Sequence, residues 1–203
     1  MIVDWAQQLA AIAQSGLTYS LSPYDTERYE QIRGIAAGML AAAAEGDPAT
    51  FVRLLSHDRG YATPKVDVRG AAFDDDGRLL LVREREDGLW TLPGGWADVG
   101  QSARESVERE VFEESGFKVV ARKLAAVLDR NKHGHPPFPF HTYKLFFLCD
   151  ITGGEATPSY ETPEVAFFHP RELPPLSLTR VMPSQIELLE RHRADPLLPT
   201  VFD

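Results

Sequence analysis

The residues best suited to chemistry lie in the run Arg109-Glu110-Val111-Phe112-Glu113-Glu114-Ser115-Gly116. On a helix turning about 100° per residue, Glu114 falls about 40° and Glu113 about 60° to either side of Glu110, so the three carboxylates share one side. Ala103 and Val107 fall in the same sector, at about 20° and about 60°, one to two turns earlier. Glu110 and Glu114 therefore continue a stripe that begins apolar. Acids on a core-facing stripe are costly unless a cation or hydrogen bonds compensate them. Hard oxygen donors gathered this way suit Mg²⁺ or Mn²⁺. A solvated acidic face is the plain alternative for the helix taken alone.

The segment before this helix, Leu92-Pro93-Gly94-Gly95-Trp96-Ala97-Asp98-Val99-Gly100, has the composition of a loop. Its glycines permit tight turns and the close approach of a ligand to the backbone. Gly116 supplies the helix stop. A glycine loop ahead of the acidic helix favours the metal-binding reading over a solvated acidic face.

The elements that must position this segment can be read from the pattern. Residues 1–62 predict helices over 4–14, 27–44 and 49–55, with Ser22-Pro23 an interruption and Gly46 a stop. From residue 63 the character changes. Strands are predicted over 66–73, 79–83, 124–129, 142–150 and 165–168, with Asp74 to Gly77 a hairpin-type connection and helices over 102–115 and 183–193. Mixed strands with two interposed helices point to an α/β sandwich over residues 63–203. The three short helices before it make a thin, all-helical domain over residues 1–62, and short helices need partners. A second copy of the chain is the expected partner.

Composition narrows the function classes. The 203 residues are 43% hydrophobic and 25% charged, as in an ordinary globular protein. A formal charge of −9 with no basic block argues against binding DNA. Acidity does not exclude anionic small substrates, since a divalent cation reverses the local field. Cys149, the only cysteine, lies in an apolar run and reads as a buried thiol. No apolar stretch reaches the length of a membrane span, and the N-terminus lacks the basic head and apolar core of a leader. A cytoplasmic location is expected.

Gly95-x5-Gln101-x7-Arg109-Glu110-Val111-Phe112-Glu113-Glu114-Ser115-Gly116-Phe117 resembles the Nudix box. The resemblance implies a Nudix α/β/α sandwich with a mixed sheet, and a loop–helix–loop that holds a divalent metal against a pyrophosphate. It implies Glu110 and Glu114 as the main ligands of Mg²⁺ or Mn²⁺, with Glu113 assisting and the Gly94 carbonyl adding an oxygen. Arg109 would orient the carboxylates. Further segments, Gly16 to Tyr19, Tyr24 to Arg33 and Thr63 to Arg69, are similar to the Nudix group with a helical N-terminal domain. That likeness implies a homodimer and a nucleoside diphosphate-linked substrate, CDP-choline-like or ADP-ribose. The position of the first box glutamate carries Gln101, which keeps an acceptor oxygen and loses the charge. Weaker support of the loop or a tuned metal affinity is expected, with activity retained; a nucleotide sensor without turnover is the rival reading.

Around this core stand further candidates. A carboxylate must take the proton of the attacking water; Glu113, Glu161 and Glu164 qualify, with Glu161 preferred over Glu164. Asp67 and Arg69 alternate with Val66 and Val68 and could face substrate, or form a surface ion pair. Trp96 could stack on a base, as could Trp90, Phe138, Phe140 or Tyr160, although aromatics at strand ends are usually core. His133, His135 and His141 flank a Pro-rich loop without a fourth ligand for zinc. One of them could reach phosphate or ribose.

Overall fold

A computed structural model describes all 203 residues, Met1–Asp203, as two compact units: Met1–Lys65 with Pro136–His141, and Val66–His135 with Thr142–Asp203. The Pro-rich segment, which sequence alone groups with the second unit, thus packs with the helices. Gln7 Nε2 donates to the Phe138 carbonyl at 2.9 Å, and the Lys65 ammonium lies 4.9 Å from the Phe140 ring centroid.

The first unit holds α1 (Ile2–Tyr19), α2 (Pro23–Ala43) and α3 (Pro48–Ser56). Helix α1 runs to Tyr19, past the predicted end at residue 14, and Gly16 within it is a packing position. A Cβ there would stand 2.4 Å from the Tyr29 ring, so glycine lets α2 close on α1. Helix α2 starts earlier than predicted. Ser22 caps it by accepting from the Asp25 N–H, and Pro23 takes the first turn, where its missing N–H costs nothing. Ala6, Ala36, Ala37, Leu40 and Leu55 form the small core.

The second unit is built from β1 (Lys65–Ala72), β2 (Leu79–Arg83), β3 (Trp90–Thr91), α4 (Ala103–Ser115), β4 (Phe117–Asp129), β5 (Thr142–Gly154), β6 (Glu164–Phe168), α5 (Pro183–Ala194) and β7 (Val201–Phe202). One sheet has the order β1-β5-β4-β7, the other β3-β2-β6. The β4–β5 pairing is antiparallel and β4–β7 parallel, so the sheet is mixed, as expected. Alternate strand residues feed two cores. Val68, Leu80, Phe147 and Cys149 pack with Val107 and Val111 of α4; Ala71, Leu79, Leu81 and Phe146 pack with Ile186 and Leu189 of α5. Helices on both faces make this an α/β/α sandwich.

Two strand predictions need correction. The turn after β1 is present, with Gly77 N–H donating to the Asp74 carbonyl, yet β1 and β2 do not form a hairpin. They meet only at Phe73 and Leu79 and then diverge into separate sheets, since both are buried on both faces. Strand β4 begins at Phe117, seven residues before the predicted start at 124. Lys118, Arg122 and Lys123 mask it, and three register shifts against β5 break the two-residue alternation.

Candidate active site

Strand β3 leads directly into the glycine loop, which crosses from the three-stranded sheet to the free edge of β1. Three backbone bonds seat it there: Val68 N–H to Gly95 O, Gly70 N–H to Pro93 O and Ala97 N–H to Val66 O, at 2.8–2.9 Å. At Gly94, φ is 140° and a Cβ would meet the Val68 carbonyl oxygen at 2.0 Å. Only glycine fits this crossing. Gly70, on the same strand, lets α4 descend onto the sheet, since a Cβ there would stand 2.5 Å from Val111.

Helix α4 is fixed at both ends. Ser102 and Glu105 form a reciprocal capping box, and Gly116 closes the helix at φ 78°. Its buried stripe carries Val107 and Val111 and then turns acidic. Glu114 is buried and accepts from the Gly94 N–H at 2.8 Å. Glu110, whose side chain is 15% exposed, points its carboxylate at Gly95, where an added Cβ would meet Oε2 at 3.0 Å. Glu113 is 55% exposed and lies at the rim. Burial pushes the Glu114 carboxyl up to about 8, against the opposing pull of Arg69 and the Gly94 N–H. Burial also raises Glu110, against Arg109.

Arg109 holds this set in order. Its guanidinium reaches Glu110 at 2.8 Å, Glu113 at 2.6 Å and Asp98 at 2.9 Å, and its Nε donates to Gln101 Oε1 at 3.2 Å. Gln101 Oε1 also accepts from Ser106 Oγ. The neutral side chain at the first box position thus still ties the loop to Arg109. As they stand, the glutamates do not form a closed ligand set: Arg109 draws Glu113 outward and Gly94 holds Glu114. Their chemistry nonetheless fits a hard divalent cation. Two under-neutralised, half-buried or buried carboxylates converge on one glycine backbone, the condition that a cation relieves.

The other candidates separate clearly. Glu164 is the first residue of β6, in register with Arg83 and ion-paired to it at 2.5 Å, and not in a loop as the sequence suggested. Glu161 is exposed on a turn anchored to the acidic helix by Thr162 Oγ1, which donates to the Glu114 carbonyl at 2.7 Å. Asp67 and Arg69 are not a surface pair. They are buried and doubly hydrogen-bonded, at 3.0 and 2.8 Å. Trp96, within the loop, is 45% exposed, whereas Trp90 stacks edge-on against Phe168 in the core. Phe138 and Phe140 pack on each other in the helical unit, and Tyr160 lies against Arg85. His133 pairs with Asp203, and His135 is held between the Leu178 carbonyl and Gln185.

Among the buried charged residues that sequence reading missed, two bear on the site. Glu84 is bound by Arg180 at 2.9 Å, and its charge acts on both Glu114 and Arg69. Lys144 donates to Asp67 at 2.5 Å. Parity was the available signal: Glu84 continues the Leu80–Val82 side of β2, and Lys144 shares its face of β5 with Phe146.

Comparison with known proteins agrees with this architecture. The NUDIX domain model matches residues 63–191, and a model described as the UDP-X-like N-terminal oligomerisation domain matches residues 1–55. The chain is 46% identical over 201 residues to a protein of Bacillus subtilis (strain 168) with the provisional name ADP-ribose pyrophosphatase, covering 99% of this chain and 96% of that one. A crystal structure of UDP-X diphosphatase superposes with a TM-score of 0.64 at 33% identity, covering 100% of this chain and 98% of that one. An ADP-ribose pyrophosphatase from Streptococcus suis 89-1591 gives a TM-score of 0.64 at 42% identity, covering 70% and 100%. The chain belongs to the Nudix hydrolases. Within that family it carries the helical N-terminal domain of the UDP-X-like group. No helix is long and apolar enough to cross a membrane.

Proposed function

We propose that this chain cleaves the pyrophosphate bridge of a nucleoside diphosphate joined to a second group, releasing a nucleoside monophosphate and a phosphorylated product. ADP-ribose and UDP-linked compounds are the first substrates to test, given the names of the relatives, with CDP-choline-like compounds beside them. The observation that carries the reading is the convergence of Glu110 and Glu114 on Gly94 and Gly95. Glu110, Glu114 and the Gly94 carbonyl, with Glu113 assisting, would hold Mg²⁺ or Mn²⁺. Bound there, the ion supplies charge neutralisation at phosphate oxygens that otherwise repel a nucleophile.

The chain's own residues do the rest. Arg109 fixes the direction of Glu110 and Glu113, and positioning of this kind carries much of the acceleration in phosphoryl chemistry. Glu161 is the preferred acceptor for the water's proton: its turn hangs on the acidic helix through Thr162, while Arg83 occupies Glu164. Glu113 is the remaining candidate. Half-exposed Trp96 offers a face to the base, and Asp67 and Arg69 form the floor beneath the loop. The helical unit, with Ile2, Trp5, Ile12 and Tyr19 exposed along α1, is proposed to pair two copies into a homodimer. A cytoplasmic location fits such a substrate.

The deciding experiment incubates the full chain and Mg²⁺ with ADP-ribose, UDP-sugars, CDP-choline, dinucleotides and capped RNA, and resolves the products by anion-exchange chromatography. Release of a nucleoside monophosphate from at least one compound is expected. No turnover of any diphosphate-linked compound would overturn the proposal.

A further inference from the structure

Beneath the glycine loop lies a chain of charged side chains that spans two strands. Lys144 Nζ on β5 donates to Asp67 Oδ1 on the neighbouring β1 at 2.5 Å. Arg69 Nε and Nη2 grip both oxygens of Asp67, at 3.0 and 2.8 Å. The remaining arm, Arg69 Nη1, donates to the Leu92 carbonyl at 3.0 Å. All three side chains are 7% exposed or less. Leu92 is where the loop leaves β3, and the backbone ladder to β1 begins only at Pro93. Arg69 thus holds the one end of the crossing that the ladder does not reach, two residues before Gly94.

We propose that Lys144, Asp67 and Arg69 act together as a strut that sets the position of the Gly94 carbonyl and the Glu114 carboxylate, with Lys144 as the positioning residue at its base. The inference rests on the reading of the loop and α4 as the metal site. Buried ion pairs add little net stability over apolar side chains of equal volume. What this array provides is geometry: a planar guanidinium locked in a two-point grip has a single direction left for its third donor. Lys144 adds a second donor to Asp67 Oδ1, which already accepts from Arg69 Nε, and so ties the carboxylate to β5. Partners that orient metal ligands in this way typically alter metal affinity when removed.

Mn²⁺ binding to the full chain, followed by electron paramagnetic resonance, tests the strut. Lys144→Met is expected to weaken binding about 10-fold or more, and to lower kcat at saturating metal while substrate KM stays within about twofold of wild type. Lys144→Arg, which keeps the charge, is expected to bind Mn²⁺ more tightly than Lys144→Met. If Lys144→Met folds and binds Mn²⁺ like wild type, with only a lower Tm, the strut is merely structural and the proposal fails. Should Lys144→Met not fold, Asp67→Asn keeps the shape and removes the charge, and the same criterion applies to it. Absence of Mn²⁺ binding by wild type would instead sink the metal-site reading beneath it.

Discussion

The backbone N–H of Gly94 and the carboxylate of Glu114 meet at 2.8 Å, joining the crossing loop to the last turn of the acidic helix. One partner is the only residue type that fits its position, and the other is an acid that burial makes costly. Their meeting defines the site: the loop brings backbone oxygen and the helix brings carboxylate to the same point.

Gly94→Ala should therefore be severe. The added methyl would overlap the Val68 carbonyl at 2.0 Å, and the φ of 140° disfavours any L side chain. A loss of about 3 kcal/mol or more is expected, read as the shift in a urea unfolding midpoint, together with loss of turnover. An unfolding midpoint equal to wild type would show that the loop does not cross β1 as described.

Gln101→Glu tests the altered box position. Gln101 already accepts from Arg109 and Ser106, so a carboxylate would strengthen an existing contact rather than create one. The parent enzyme is expected to turn over, with the variant's metal requirement shifted by no more than about 10-fold. A silent parent that Gln101→Glu switches on would favour the sensor reading.

Much of this is legible in the sequence. The Glu110–Glu114 stripe, the loop ahead of it and the two sandwich helices follow from periodicity. Fold class and family were readable because the box concentrates fixed residue types in one local segment. The missed parts are non-local. The alternation of β4 is broken by bulges, and its pairing with β5 supplies what its polar residues conceal. Parity puts Lys144 and Glu84 on buried faces, but their partners show only once β5 is placed beside β1 and Arg180 arrives from a distant segment. The packing role of Gly16 is non-local too, because Tyr29 is invisible from its own helix.

Acid stability should report His135. Burial pushes its imidazole down to about 4, opposed by the Leu178 carbonyl. Between its ordinary value near 6.5 and about 4 the unfolded chain binds the proton and the folded one does not. Its contribution is present above that window and lost as pH falls through it. Urea midpoints across this range should decline, and His135→Gln should flatten the decline. An unchanged slope in the variant would remove His135 as the cause.

The helical unit makes its own prediction. Trp5 and Ile12 are 54% and 53% exposed on α1, on the same side as Ile2 and Tyr19. The double substitution Trp5→Glu, Ile12→Glu should yield a monomer by light scattering where wild type gives a dimer. A monomeric wild type would refute the proposed pairing.

Turnover of Glu114→Gln bears most directly on the claim that this carboxylate holds the catalytic metal. The amide keeps the size of the side chain and an acceptor for the Gly94 N–H, so the fold should survive. With saturating Mg²⁺ and the best substrate of the panel, kcat/KM is expected to fall by roughly 100-fold or more with unchanged circular dichroism. A folded Glu114→Gln protein hydrolysing that substrate at the wild-type rate would contradict the account.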